Sequence, residues 1–256
     1  MSRPRLEQLF ADNAGPLIHK WPHYFPIYET HLRRFQGRRP TLLEIGVSHG
    51  GSLHMWRDYL GRGATIIGLD KDPRAATLDG EAGHVRVGDQ GDDDFLRSVS
   101  VELGPFDIVI DDGSHRPAHQ ISSLLALWSS VADGGVYIVE DLHTSYWPEY
   151  EGGPGTETFM DLAKAMIDNI NATHSRSEDL QPSRWTREVT GMHVYDSVVV
   201  LDKGDNTVRP AIMTGHPRWV DEHGDEVEIT PEHRAQLERT SRPLQRARRA
   251  LRSLLR

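Results

Sequence analysis

The stretch Thr41-Leu42-Leu43-Glu44-Ile45-Gly46-Val47-Ser48-His49-Gly50-Gly51-Ser52 reads as a short apolar strand running into a glycine-rich turn and then a helix. Its run of apolar residues does not alternate with polar ones, which marks a strand covered on both faces. Similar runs recur at 65–70, 85–89, 106–111 and 136–140, each rich in Val and Ile and each closing on Gly, Asp or Glu. Segments suited to helices lie between and after them, at 52–60, near 73–78, and at 92–103, 118–131 and 156–171. In the fourth, Ile121, Leu124, Leu125, Leu127, Trp128 and Val131 form a wide apolar stripe at helical spacing. Strand alternating with helix implies right-handed crossovers and a parallel sheet with helices on both sides. Two further runs, at 187–195 and 197–201, are close enough to pair as an antiparallel hairpin. The expected fold is a doubly wound α/β sheet, parallel with a C-terminal antiparallel hairpin.

Outside this pattern the chain changes character. Residues 15–29 are polar and aromatic with prolines at 16, 22 and 26, a loop that turns helical after Pro26. The expected organisation is an N-terminal cap segment at 1–40, a sheet domain at 41–203 and a C-terminal extension at 204–256. The end of that extension, 234–256, holds eight Arg and one acid, Glu238, with Leu237, Leu244 and Leu251 every seven residues, a pattern that allows an Arg-rich helix. The whole chain of 256 residues nevertheless has a formal net charge of −9, which argues against a general nucleic-acid binder. Cysteine is absent, which excludes disulfides, thiolate metal sites and a cysteine nucleophile. No apolar stretch approaches the roughly 18 residues of a spanning helix, and no leader pattern opens the chain, so a cytoplasmic location is expected.

In an open parallel sheet ligands bind beyond the carboxyl ends of the strands, where the strand order reverses. The first strand leads into the glycine loop with Glu44, Gly46 and Ser52. Its G-x-x-x-G-G spacing differs from the dinucleotide pattern and fits a structural turn as well as a ligand loop. Asp70 ends the second run 24 residues after Gly46, about where an acid reaches ribose hydroxyls. Asp89 and Gln90 end the third run and offer a carboxylate and an amide near an adenine, although Asp at a strand end is also a common helix cap. Together these strand ends point to an adenosine-containing ligand.

The fourth and fifth runs end in Asp111-Asp112-Gly113-Ser114-His115 and in Glu140-Asp141-Leu142-His143. Four carboxylates and two imidazoles should then converge on one cleft. So many acids repel one another unless something positive sits among them, and a hard divalent cation with oxygen ligands answers that need.

At these residues the chain resembles the class I S-adenosylmethionine-dependent methyltransferases, specifically the metal-dependent sugar O-methyltransferases. The similar groups are the macrolide sugar, rhamnosyl and methylmannose-polysaccharide enzymes, and the cephalosporin hydroxylase-type proteins share the domain. The resemblance covers about residues 15–202. It rests on Lys20-Trp21 with Tyr24 and Tyr28, on Leu43-Glu44-Ile45-Gly46-Val47, on Gly68-Leu69-Asp70, on Asp111-Asp112-Gly113-Ser114-His115, on Val139-Glu140-Asp141 and on Tyr195-Asp196-Ser197. It implies a Rossmann-like sheet, with S-adenosyl-L-methionine and Mg²⁺ as cofactors and Asp112, Glu140 and Asp141 as metal ligands. It implies His115 as general base; by position, His143 is the expected substitute and Asp111, at the end of the fourth run, is expected to face the sulfonium. Trp21, His23, Tyr24 and Tyr28 belong to the segment that closes over cofactor and substrate. The macrolide enzymes have an additional N-terminal domain that this chain is expected to lack, and a homo-oligomer is the family expectation.

The expected activity is Mg²⁺-dependent methyl transfer to a sugar hydroxyl of a polysaccharide, glycolipid or glycosylated natural product. Two other readings stay open on sequence alone. One is a non-haem iron oxygenase on the same fold, which needs two imidazoles and one acid on the metal. The other is a non-catalytic cofactor-binding partner subunit. Residues 143–155, with Tyr146, Trp147 and Tyr150 among three glycines and two prolines, read as an irregular lid whose aromatic faces suit a sugar.

Overall fold

The computed structural model describes residues 6–207 and, beyond them, 219–220, 223–224, 226–227, 231–232 and 235. Residues 1–207 form one compact unit and 208–256 a second. In the first, strands β1 (Thr41–Ile45), β2 (Thr65–Asp70), β3 (His84–Val87), β4 (Phe106–Asp111) and β5 (Val131–Val139) run parallel. Strand β6 (Val189–Tyr195) pairs antiparallel with β7 (Val198–Lys203), and β7 pairs antiparallel with β5. The sheet order is β3-β2-β1-β4-β5-β7-β6, so the order reverses between β1 and β4. This is the doubly wound, Rossmann-like sheet with a C-terminal antiparallel pair that the sequence pattern predicts.

Both faces are covered, as the unalternating apolar runs require. Leu42, Ile66, Ile108, Ile110 and Ile138 look toward a core that includes Trp56 of helix α3 (Gly51–Leu60). Leu43, Ile67, Val109, Tyr137 and Val139 look toward Leu124 and Leu127 of α5 (Pro117–Leu127) and Phe159 of α6 (Phe159–Asn171). Helix α4 (Asp93–Leu103) packs Leu96 and Val99 on that second face, its first turn capped by the Asp92 carboxylate.

The N-terminal segment belongs to the same compact unit, not to a separate cap. It contains α1 (Leu6–Ala11), a 3-10 turn at Pro22–Tyr24 and α2 (Phe25–Leu32), and its Leu6, Tyr24, Phe25, Tyr28 and Leu32 are fully buried in the first core. Several boundaries differ from the sequence expectation. The helix expected over 118–131 stops at Leu127, makes one 3-10 turn over Trp128–Ser130, and yields Val131 to β5. Val131 fits helical spacing after Leu127, but pairing with Phe106 across a bulge claims it for the sheet. The segment Pro73–Leu78 is a 3-10 helix. Residues 187 and 188 close a short helix, α7 (Arg184–Glu188), capped by Ser183, so β6 begins at Val189. Helix α6 starts at Phe159 because Thr158 and Asp161 form a capping box there.

In the second unit, β8 (Trp219–Val220) pairs antiparallel with β9 (Glu226–Val227). The Arg-rich helix expected at 234–256 lies outside the described residues except for position 235. Among the described residues, no helix is long and apolar enough to cross a membrane.

Candidate active site

The reversal of strand order opens a crevice at the ends of β1 and β4, and glycine shapes its floor. Gly46 has φ +87°, and a Cβ there would lie 2.1 Å from the Asp112 carbonyl oxygen. Only glycine lets the first loop cross the end of β4 so closely. A cavity of about 240 Å³ opens here, lined by Lys20, Trp21, Tyr24, Ser48, Ser52, Asp70, Asp112, His115, Glu140 and Asp141 among others. A smaller one of about 90 Å³ adjoins it, lined by Leu69, Asp70, Lys71, Asp89, Gln90, Phe95 and Ser114. Gly46, Asp70 and Gly113 border both.

Strand periodicity decides which acids meet. Glu44 and Asp112 project to the side of the N-terminal helices, whereas Asp111 projects to the other, with Val109. The positive charge among the acids is supplied in part by the chain itself, because the Lys20 ammonium is buried there. It lies 2.6 Å from Asp112 Oδ2, 3.0 Å from Glu140 Oε2 and 3.5 Å from Glu44 Oε1. Burial pulls the Lys20 pKa down, but Asp112 and Glu140 outweigh it and hold the group charged. Burial pushes Glu140 up to about 8, and Lys20 with the Tyr28 hydroxyl, which donates at 2.6 Å, offsets only part of that. Burial also raises Glu44, which accepts from Ser52 Oγ at 2.6 Å.

Asp141 stands apart from this buried set. It accepts from the Tyr24 hydroxyl at 2.6 Å, and its other oxygen lies 3.6 Å from His115 Nε2. Burial and the bond to Asp141 drive the Tyr24 pKa upward, so the phenol stays protonated and keeps donating. Asp112, His115 and Asp141 each offer a ligand atom within 4.8 Å of the others. His115 and Asp141 both adopt left-handed backbone, at φ +58° and +55°, a strained conformation for residues with a Cβ. The Thr144 hydroxyl, 2.7 Å from the carbonyl oxygens of both, ties the two bends together.

The donor chemistry fits a hard divalent cation at Asp112 and Asp141. Three carboxylates share one ammonium and Asp141 stands beside them, so excess negative charge borders the larger cavity, and the donors are anionic oxygens. Glu140 borders the same cavity with its carboxylate turned to Lys20 and Tyr28, outside the group of donors that lie within 4.8 Å.

The remaining sequence candidates divide between cavity and support. Asp70 is at the mouth of both cavities. Its Oδ2 accepts from the Val47 and Ser48 amides at 3.1 and 2.8 Å, and its Oδ1 accepts from Asp72, so it anchors the glycine loop. Asp89 lines the smaller cavity and is exposed. Gln90 also borders it, but its amide turns inward, donating to Asp111 and Ser123 and accepting from the Ser114 amide. Asp111, expected to face a cofactor, lines neither cavity. Strand alternation buries it completely on the opposite face, where burial raises its carboxyl to about 7 and one oxygen has no partner. Glu44 is likewise sealed beneath the loop, with Ser52 above it.

His143 is bound through Nδ1 to Ser197 Oγ at 2.5 Å and sits between the rings of Trp21 and Trp147. It does not line the cavity, whereas His115 does. His23 is outside it too, 3.3 Å from the Asp196 carbonyl oxygen. Tyr146 and Trp147 are exposed, and the segment expected to be irregular forms 3-10 turns at Leu142–Tyr146 and Pro148–Tyr150. Pro148 sits at the first position of its turn, where its missing N–H is no handicap. The sequence reading missed Lys20 as a site residue, although the surplus of acids called for a cation and Lys20 lies within the resembling motif.

Residues 43–142 match the family model described as a methyltransferase domain. The rhamnosyl-tetracenomycin-C 3'-O-methyltransferase of Streptomyces olivaceus is 38% identical over 220 residues, which are 80% of this chain and 56% of that protein. The mycinamicin VI 2''-O-methyltransferase of Micromonospora griseorubida is 36% identical over 85% of this chain and 56% of its own length. A solved methyltransferase of the mycinamycin pathway, in complex with Mg and SAH, superposes with a TM-score of 0.73 at 34% identity, over 86% of this chain and 58% of that one. The chain thus spans a little over half the length of these relatives. The chain therefore carries a methyltransferase domain and belongs, over residues common to both, with the sugar O-methyltransferases of macrolide and related pathways.

Proposed function

We propose that this protein transfers a methyl group from S-adenosylmethionine to a hydroxyl of a carbohydrate-containing acceptor with Mg²⁺ bound. The observation that carries the reading is the adjacency of two cavities that share Gly46, Asp70 and Gly113, one bordered by strand-end groups suited to an adenosine and the other by Asp112, His115 and Asp141. When bound, S-adenosylmethionine supplies an electrophilic methyl, and Mg²⁺ at Asp112 and Asp141, with Glu140 as the third candidate ligand, supplies Lewis acidity to an acceptor oxygen.

The protein's own groups do the rest. His115 borders the cavity with Nε2 on the side of Asp141, the nitrogen placed to take the acceptor proton. Tyr24 holds Asp141 in place, and Lys20 with Tyr28 holds Glu140. Trp21, half exposed at the cavity, presents a flat apolar face to a sugar ring. His143, bound to Ser197 and outside the cavity, orients the surrounding aromatic rings instead of taking a proton.

The iron-oxygenase reading is disfavoured by the donor set, because the cluster at the cavity offers one imidazole and two acids, not the reverse. Release of S-adenosylhomocysteine across a panel of rhamnosides, mannosides and glycosylated macrolides, with and without Mg²⁺, tests the proposal. Turnover that needs both a glycoside and the metal supports it. Full turnover in excess EDTA removes the metal from the reading, and no turnover on any glycoside favours a cofactor-binding subunit.

A further inference from the structure

A second donor cluster lies away from this cavity, where α2 meets the β6–β7 pair. His31 comes from α2, His193 from β6 and Asp202 from β7. One nitrogen of each ring and one Asp202 oxygen lie within 4.8 Å of one another. The two imidazoles stand edge to face with centroids 4.5 Å apart, and His193 Nε2 lies 2.8 Å from Asp202 Oδ2. His31 is buried, and the Tyr195 hydroxyl 2.9 Å from its Nε2 fixes the ring. Gly191 leaves room beside the donors, since a Cβ there would lie 3.4 Å from both His193 Nε2 and Asp202 Oδ2.

We propose that His31, His193 and Asp202 bind a zinc ion that clamps helix α2 to the β6–β7 hairpin. Two imidazoles and one carboxylate suit Zn²⁺, which accepts three such ligands with water in the fourth position, and they suit Mg²⁺ poorly. Arg34 donates to the far oxygen of Asp202 at 2.7 Å, which fixes the carboxylate and leaves Oδ2 on the side of the rings. The clamp has a stake in the other site, because the tip of this hairpin places the Asp196 carbonyl oxygen against His23 and Ser197 against His143.

The test is titration of the EDTA-stripped chain with Zn²⁺ in competition with a chromophoric chelator, on wild type, His193→Ala, Asp202→Asn and Asp112→Asn. Loss of an outer-shell partner already weakens metal binding by about 10–100-fold, so loss of a ligand should weaken this equivalent by at least about a hundredfold. The expected result is that His193→Ala and Asp202→Asn lose one Zn²⁺ equivalent with unchanged circular dichroism, while Asp112→Asn keeps it. The same equivalent should raise the Tm of wild type and not of His193→Ala. Gly191→Ala, which removes no donor, should also weaken the site by filling the space beside it. Equal stoichiometry and affinity in wild type, His193→Ala and Asp202→Asn overturns the proposal, as does loss of the equivalent in Asp112→Asn alone.

Discussion

Lys20 donates a 2.6 Å hydrogen bond to Asp112, a residue 92 positions further along the chain, and does so from a fully buried ammonium. The contact joins the N-terminal segment to the end of β4 and places a fixed cation beside the acids suited to a mobile one. Lys20 also reaches Glu140 and Glu44, so a single positive charge serves three carboxylates. That division leaves Asp141, which Lys20 does not reach, beside Asp112 and Glu140 at the cavity, with more negative charge there than one ammonium balances.

Lys20→Met should therefore destabilise the fold and make it dependent on divalent metal. Removing one partner of a buried ion pair typically costs about 3–5 kcal/mol, because the other charge stays buried and uncompensated. Equilibrium denaturation should show a loss of that order in EDTA, with Mg²⁺ restoring more stability to the variant than to wild type. Equal effects of Mg²⁺ on both would mean that Lys20 and the metal do not share the same acids.

Asp70→Ala should weaken S-adenosylhomocysteine binding, measured by calorimetry, by about tenfold to a hundredfold, the worth of a charge-assisted hydrogen bond of roughly 1.5–3 kcal/mol. Part of the loss comes from the protein, because the carboxylate also holds the Val47 and Ser48 amides of the glycine loop. Asp70→Asn, which retains one acceptor oxygen, should fall between the two. Unchanged affinity in Asp70→Ala would take this residue out of the ligand site.

Much of this arrangement was legible from sequence, and the failures share a cause. Unalternating apolar runs gave the sheet, and polar strand ends gave the rim of the cleft, since both depend on local pattern. Which side of the sheet Asp111 faces depends on strand register, which its adjacency to Asp112 conceals. The role of Lys20 depends on the path of a segment 92 residues away, and a lone lysine before a tryptophan has no local signature. The boundary at Val131 failed because helix spacing and sheet pairing compete for one β-branched residue.

The misplaced acid makes its own prediction. Asp111 is buried with its carboxyl raised to about 7, from a usual carboxylate value near 3.8. The folded state holds that proton more tightly than the unfolded chain, so its contribution to stability is fully present below the usual carboxylate range. The contribution is lost as pH rises through about 7. Thermal unfolding in EDTA should accordingly show a decline between about pH 4 and pH 7 that Asp111→Asn reduces. An identical decline in the variant would assign the pH dependence to other groups.

Trp147 decides between a lid and a structural prop for the segment after the metal-side acids. Its indole is 42% exposed and stands edge to face with His143 at 4.5 Å, while its backbone carbonyl accepts from the Tyr150 and Gly152 amides. The turn is thus held by main-chain bonds that do not need the side chain, and an indole 42% exposed and outside both core clusters adds little to the core. Trp147→Ala should leave the unfolding free energy within about 0.5 kcal/mol of wild type, as surface substitutions usually do. An aromatic face on a sugar is of the order of other ring contacts, about 0.5–1.5 kcal/mol, so the acceptor KM should rise roughly three- to tenfold. Affinity for S-adenosylhomocysteine should stay unchanged, because Trp147 lines neither cavity. A variant that unfolds earlier and keeps normal kinetics would place Trp147 among the residues that hold His143, and the segment would then be no lid.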